Sequence, residues 1–211
     1  MVSALAALDR LREGNRRFVA NTHGADPKTQ VRPAEVAAGQ EPFAIILGCS
    51  DSRVPAEIIF DQGLGDLFVI RVAGNIVAPS QIGSVEFAAT AFGTRLVVIL
   101  GHSQCGAIFA TLKQLQTPSE ERSPNLRSIV DFIRPSVEPL LDQGQGHDTD
   151  AIVRKAVRAN VRTSLQQMRH GSGILKDLER DDGLIIVGAE YSLETGLVDF
   201  FDGIPEPNES H

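Results

Sequence analysis

A net charge of −7 on 211 residues, with a sequence pI near 5.2, argues against a nucleic-acid or anionic-membrane partner. The hydrophobic content of 42% suffices for the core of one domain, and no apolar run reaches the roughly 20 residues of a membrane-spanning helix. The N-terminus lacks the basic leader of a secretory signal, and two cysteines do not make a disulfide framework. We therefore expect a cytoplasmic protein.

The N-terminal part predicts an amphipathic helix over residues 3 to 20, with Ser3 as its N-cap. Its apolar side chains are Leu5, Leu8, Leu11 and Phe18. A polar loop follows, and we interpret its His23 as a solvated loop residue. A short helix is predicted over residues 33 to 38. Together these elements predict a helical arm outside the main sheet.

Strand predictions rest on short apolar runs, because strands that are buried on both faces lack polar alternation. Four runs predict core strands and a fifth predicts an edge strand: residues 43–47, 67–73, 95–101 and 184–189, then 197–201. Helical spacing is found over residues 80–92, from about Gln104 onward, and over 126–140, 148–169 and 173–179. His147 and His170 flank the helix at 148–169, and we interpret both as cap or surface groups.

Strands that alternate with helices predict an α/β fold. We expect a mostly parallel central sheet of four core strands plus an antiparallel edge strand, with helices on both faces and an N-terminal helical arm. The chain is predicted to be one domain over residues 1–211, with the arm over 1–40, the α/β core over 41–204 and a tail over 205–211. In such folds, ligands bind beyond the carboxyl ends of the strands.

Both cysteines of the chain lie just after predicted strands. Cys49 follows the strand at 43–47, while His102 and Cys105 follow the strand at 95–101. Two thiolates and one imidazole suit a tetrahedral zinc ion with one position left over. Because the carboxyl ends of parallel strands meet at one edge of a sheet, this placement supports a zinc site there.

Asp51 and Arg53 follow Cys49 at two-residue intervals, on the same side of an extended backbone. Two thiolates cancel the charge of a zinc ion, so the bound water is less acidic and an enzyme needs help in removing its proton. Arg53 is positioned to pair with Asp51 and to keep the pKa of that carboxyl low. A paired Asp51 could orient metal-bound hydroxide, whereas an unpaired Asp51 could occupy the fourth position itself.

Simpler interpretations of these residues remain open. Cys49 and Cys105 could be ordinary buried thiols or a redox pair. Asp51 and Arg53 could form a surface ion pair in a turn. A structural zinc site on a non-enzymatic binding module would use the same three ligands.

Two motifs of this chain, taken together, resemble those of the β-class carbonic anhydrases: Cys49-Ser50-Asp51-Ser52-Arg53 and Gly101-His102-Ser103-Gln104-Cys105-Gly106. Matching stretches also occur at residues 12–18, 65–75 and 83–87. The resemblance implies zinc bound by Cys49, His102 and Cys105, with water or Asp51 as the fourth ligand. It also implies a catalytic Asp51–Arg53 pair. The expected reaction is reversible hydration of carbon dioxide to bicarbonate and a proton by metal-bound hydroxide.

The same resemblance implies substrate-binding residues. Gln40 would hydrogen-bond the substrate from a neighbouring subunit, and an apolar pocket would be lined by Phe68, Ala73, Phe87 and Gly106. Members of the family are dimers or larger, so a homodimer or homotetramer is expected. Some relatives instead hydrolyse carbon disulfide or carbonyl sulfide, and this alternative stays open.

Overall fold

The computed structural model describes residues 2–22, 33–117, 123–143 and 149–205. His23, His147 and the tail from residue 206 lie outside the described residues, so the interpretations of these histidines stay predictions. Among the described helices, none combines the length and the apolar character that crossing a bilayer requires.

The described elements alternate between helix and strand through most of the chain. The helices are α1 (Ala4–Val19), α2 (Pro33–Val36), α3 (Ala56–Ile59), α4 (Pro79–Ala91), α5 (Gly106–Gln116), α6 (Pro124–Gln143), α7 (Thr149–Gly171) and α8 (Gly173–Asp181). The strands are β1 (Ala44–Gly48), β2 (Leu67–Arg71), β3 (Leu96–His102), β4 (Ile185–Tyr191) and β5 (Val198–Asp202). A 3₁₀ turn, Ala73–Asn75, follows β2.

The strands form one five-stranded sheet in the order β2-β1-β3-β4-β5 within the described residues. β1 pairs in parallel with β2 and β3, and β3 pairs in parallel with β4. β5 is antiparallel to β4 at the edge. The predicted α/β class, with a mostly parallel sheet and an antiparallel edge strand, is therefore confirmed.

Helices cover both faces of this sheet, as predicted. α1 and α3 pack on one face against a cluster that includes Ile46 and Val98. α4, α7 and α8 pack on the other face against a cluster that includes Leu47 and Ile99. A third cluster, which joins α5, α6 and α7, includes both cysteines.

The N-terminal helix α1 is the predicted arm, and it packs on the sheet of its own chain. Ser3 caps it, since its side chain accepts a hydrogen bond from the backbone amide of Ala6. Leu8 and Leu11 are buried in the core, whereas Leu5 is 52% exposed. The apolar positions therefore divide between a face that packs on the sheet and one that faces outward.

Two expectations about local structure were wrong. β2 was expected to be buried on both faces, but Phe68 to Ile70 are half-buried and Arg71 is exposed. The reason is that β2 lies at the edge of the sheet and pairs with β1 alone. The helix expected from about Gln104 begins instead at Gly106, because Gln104 has a φ of 56°, which a right-handed helix excludes.

Two glycines precede metal-ligand candidates in neighbouring strands, and only one of them is tightly packed. A Cβ atom on Gly101 would lie 2.5 Å from Cγ2 of Val161 in α7, a stiff β-branched side chain. A Cβ atom on Gly48 would find nothing closer than 3.8 Å. α7 can therefore lie directly on the strand that carries His102 because residue 101 has no side chain.

We expect Gly101→Ala to lower the free energy of unfolding by about 1–3 kcal/mol, the usual cost of overpacking a core. Gly48→Ala is the matched control and should cost much less. In a double variant, Val161→Ala should restore part of the stability that Gly101→Ala removes, because it makes room for the added methyl group. Urea denaturation midpoints measure all four proteins, and equal losses for the two glycine variants would contradict the packing argument.

Candidate metal centre

The sheet brings the two candidate ligand loops side by side. β1 and β3 are neighbours, and their parallel register pairs Gly48 with Leu100. Cys49 is the first residue after β1, and His102 is the last residue of β3. The chain leaves β1 toward β2 and leaves β3 toward β4, so the order reverses between β1 and β3. Ligands bind at such a reversal in open α/β sheets.

The third candidate ligand, Cys105, is the N-cap residue of α5. The ligand atoms of Cys49, His102 and Cys105 all lie within 4.8 Å of one another. All three side chains are buried, with exposures of 5%, 0% and 2% respectively. The predicted convergence of these residues is therefore present in the structure.

The imidazole of His102 is oriented for metal binding. Its Nδ1 donates a hydrogen bond of 2.8 Å to the backbone carbonyl of Ser103. That bond fixes the tautomer, because the Nδ1 must carry the hydrogen. The Nε2 atom is buried and has no hydrogen-bond partner among the described residues. Buried polar atoms rarely lack a partner, so this nitrogen is available to bind a metal ion.

The two cysteine sulfurs lie beside each other, and their contact shifts their pKa values in opposite directions. The neighbouring Cys105 thiol lowers the pKa of Cys49 to about 4. The backbone amide of Gly74 also donates a hydrogen bond to the Cys49 sulfur, at 3.4 Å. The contact with Cys49 raises the pKa of Cys105. Burial lowers the pKa of His102, but contacts with Cys49 and the Ser103 carbonyl leave it above its ordinary value. A cation that binds here would displace these protons.

The donor set and its spacing fit zinc. Zinc takes thiolate and neutral imidazole ligands, and bonds of about 2.3 Å in a tetrahedron put neighbouring sulfurs about 3.8 Å apart. The separations below 4.8 Å allow this geometry with small adjustments. The N-terminus of α5 further favours negative charge on Cys105, because unpaired helix amides point toward it.

Asp51 and Arg53 form the predicted ion pair. Arg53 donates from Nε to Oδ1 at 2.9 Å and from Nη2 to Oδ2 at 2.8 Å, so both carboxylate oxygens accept from one guanidinium. These hydrogen bonds hold the pKa of Asp51 far below its ordinary value. Asp51 lies outside the cluster of three ligand atoms, and its role as a fourth ligand stays a prediction.

The predicted pocket residues fall into two groups. Ala73 and Gly106 are sequence neighbours of Gly74 and Cys105, next to the candidate metal centre. Phe68 and Phe87 pack on each other with ring centroids 6.2 Å apart, and Phe87 is 55% exposed. Their binding roles stay predictions.

Gln40 is exposed. It lines a cavity of about 580 Å³ together with Phe92, and Phe92 in turn contacts Phe68 and Phe87. Its predicted contact with substrate in a neighbouring subunit remains a prediction.

Sequence reasoning missed the role of Arg71. Its Nε donates to the backbone carbonyl of Cys49 at 3.0 Å, and its Nη2 donates to that of Asp51 at 2.5 Å. These bonds hold the loop that carries the first ligand and the acid. The signal in the sequence was a lone arginine ending an apolar strand; the pairing of Gly48 with Arg71 was needed to interpret it.

Comparisons with known proteins identify one family. A family profile described as carbonic anhydrase matches residues 44–198. Carbonic anhydrase 2 of Mycobacterium tuberculosis is 38% identical over 194 residues, which cover 91% of this chain and 90% of that protein. The carbonic anhydrase of Mycolicibacterium smegmatis is 37% identical over 195 residues, which cover 92% of each.

Solved structures give the same result. The β-carbonic anhydrase CafA of Aspergillus fumigatus is similar with a TM-score of 0.73 at 26% identity, covering 96% of this chain and 92% of that one. The β-carbonic anhydrase of Coccomyxa is similar with a TM-score of 0.72 at 25% identity, covering 92% and 86% respectively.

We expect His102→Ala and Cys105→Ser to lose the metal, because three protein donors are the minimum for a tight zinc site of this kind. Purified wild-type protein should carry about one zinc ion per chain. Asp51→Asn is the control and should keep its zinc, since the carboxylate is held by Arg53. Metal analysis after dialysis against a weak chelator measures this, and a fully loaded His102→Ala protein would overturn the ligand assignment.

Proposed function

The chain belongs to the β-class carbonic anhydrase family, and we propose that it uses zinc to catalyse the reversible hydration of carbon dioxide to bicarbonate and a proton. The observation that carries this proposal is the convergence of Cys49, His102 and Cys105 within 4.8 Å. The Asp51–Arg53 pair, which follows the first ligand by two residues, adds a carboxylate that can orient the attacking water.

Cys49, His102 and Cys105 would hold the zinc ion, and one tetrahedral position would remain for water. When bound, zinc supplies a Lewis acid that lowers the pKa of water and makes it a nucleophile near neutral pH. The thiolates must stay reduced to serve as ligands. Both cysteines are free, and we therefore propose a reducing, cytoplasmic location.

Asp51 would accept a hydrogen bond from the attacking water at one of its carboxylate oxygens and orient it. Arg53 serves this role in two ways. It keeps Asp51 ionised, so the carboxylate can accept but not donate. It also donates to both oxygens of Asp51, which would disfavour direct binding of that carboxylate to the metal.

Carbon dioxide is small, linear and uncharged, so an apolar pocket suits it better than a charged one. We propose that Phe68, Ala73, Phe87 and Gly106 line this pocket. The contact between Phe68 and Phe87 supports a shared apolar wall.

We propose that a second copy of the chain completes the site as a homodimer or homotetramer. Two large apolar side chains are exposed at or beside the cavity that Gln40 lines: Leu64, which also lines it, at 53%, and Phe87, which contacts the lining residue Phe92, at 55%. A second copy would bury these side chains and bring Gln40 to the substrate of its neighbour. Exposed large apolar side chains that lie together are typical of interaction sites.

We expect Asp51→Asn and Arg53→Ala to keep zinc and to lose most hydration activity, by about 100-fold or more, as loss of a group that positions a reactant does. Stopped-flow measurement of carbon dioxide hydration checks the rate on zinc-loaded protein. The control is Arg180→Ala, which breaks another exposed, two-pronged pair, with Asp181, on α8. It should leave the rate unchanged.

The same assay separates the alternatives. A zinc-loaded wild type that hydrolyses carbon disulfide or carbonyl sulfide but does not hydrate carbon dioxide would replace our proposal with the hydrolase. Zinc-loaded protein that is inactive on all three substrates, with no effect of Asp51→Asn, would favour a binding module. A metal-free protein whose thiols oxidise together would favour the redox pair.

The role of Gln40 can be tested by complementation between subunits. We expect Gln40→Ala and Asp51→Asn each to be nearly inactive when expressed alone. Co-expression of the two variants with different tags should restore part of the rate, because a mixed dimer places both changes in one site and leaves the other site intact. Failure of the purified mixed dimer to recover activity would show that Gln40 does not act across subunits.

A further inference from the structure

The loop between the last two metal-ligand candidates contains a strained residue. Gln104 lies between His102 and Cys105 and has a φ of 56°. This left-handed conformation is unfavourable for residues other than glycine, and surrounding contacts must hold it. The position of Cys105 relative to His102 depends on this backbone conformation.

One carboxylate contacts the loop at two consecutive residues. The Ser103 hydroxyl donates to Oε2 of Glu194 at 3.0 Å, and the side-chain amide of Gln104 donates to Oε1 at 2.6 Å. The Ser192 hydroxyl also donates to Oε2, at 3.1 Å. Glu194 therefore accepts hydrogen bonds from both residues between the two ligands and from its own turn.

The turn that carries Glu194 is itself attached to β3 and β4. The backbone amide of Ser103 donates to the carbonyl of Tyr191 at 2.9 Å, which extends the pairing of His102 with Tyr191. The amide of Leu193 donates to the Ser103 hydroxyl at 2.9 Å. The carboxylate thus connects a rigid sheet end to the strained Gln104.

We propose that Glu194 is a positioning residue for the metal centre, which fixes the geometry of His102 and Cys105 by holding Ser103 and Gln104. This inference rests on the proposed zinc site. Glu194 touches no ligand atom, so it acts through the loop. Outer contacts that orient metal ligands change metal affinity by about 10- to 100-fold when removed.

Glu194 is suited to this role and contributes little to the core. It is exposed, so truncating it removes no buried apolar surface. Its own backbone amide and the donors of Ser103, Gln104 and Ser192 lower the pKa of its carboxyl. The acceptor is therefore ionised and binds each donor with a charge-assisted hydrogen bond.

The experiment compares zinc-loaded wild type, Glu194→Ala, Glu194→Gln and Asp199→Ala. Asp199 is the matched control, because it lines the same cavity of about 350 Å³ and its carboxylate pairs with Arg158 rather than with the loop. The first measurement is the rate of zinc release to a colorimetric chelator. The second is the absorption spectrum after replacement of zinc by Co²⁺, which reports ligand geometry directly.

We expect Glu194→Ala to release zinc about 10-fold faster and to shift the visible cobalt bands. The zinc-release rate of Glu194→Gln should lie between those of Glu194→Ala and wild type. Its single carbonyl oxygen can replace the acceptor for Ser103 or for Gln104, but not for both. Asp199→Ala should match wild type in both measurements. Thermal unfolding of the zinc-loaded proteins should change little among the variants.

Wild-type release rates and spectra for Glu194→Ala would overturn the positioning role. An equal change in zinc release and cobalt spectrum for Asp199→Ala would also overturn it, since the loss of a nearby negative charge would then explain both variants. A wild type that binds neither zinc nor Co²⁺ would instead defeat the proposed metal site, so the two failures are distinguishable.

A double-mutant cycle tests the path through the loop. Gln104→Ala removes the amide that donates to Glu194, so the effects of Gln104→Ala and Glu194→Ala on zinc release should be less than multiplicative. Fully multiplicative effects would show that Glu194 acts independently of Gln104 and would contradict the proposal.

Discussion

The reversal of strand order between β1 and β3 is the constraint on which the site depends. β1 and β3 are adjacent and fully buried, and at the reversal no crossover connection covers their carboxyl ends. The residues that follow the two strands therefore face one another. Gly101 lets α7 lie directly on β3, and Gly74, with a φ of 70°, brings its amide to the Cys49 sulfur. Cys49 and His102 are therefore placed by the ends of buried strands, whereas Cys105 is placed by the short loop that follows β3.

The sequence was sufficient for the features that depend on regular backbone. Apolar runs located the strands to within a few residues, and their alternation with helices predicted a parallel sheet. Because parallel strands end at one edge, the positions of Cys49 and His102 after two such runs predicted that they would meet. The Asp51–Arg53 pair was also predictable, since two-residue spacing places both side chains on one side of the backbone.

Features that depend on irregular backbone or on distant elements could not be predicted in the same way. No local pattern indicates that Gln104 adopts a left-handed conformation, and because of this conformation α5 begins at Gly106 rather than near Gln104. Glu194 is far from Gln104 in sequence, and their contact follows from the pairing of β3 with β4. The exposure of β2 depended on strand order, which apolar composition does not encode. Composition also cannot tell an exposed Phe87 from a buried one.

The donor atoms at this site are groups that a bound cation would stabilise. The buried Nε2 of His102 has no partner among the described residues, and such a nitrogen costs about 1–3 kcal/mol. The contact between the buried sulfurs of Cys49 and Cys105 lowers the pKa of the first and raises the pKa of the second. A divalent cation would supply a partner to the nitrogen and neutralise both thiolates, so binding free energy becomes folding free energy. The contacts of Arg71 and Glu194 hold the ligand loops in place without being ligands. Among the described residues, the chain therefore places three buried metal-binding side chains at the sheet edge where the strand order reverses.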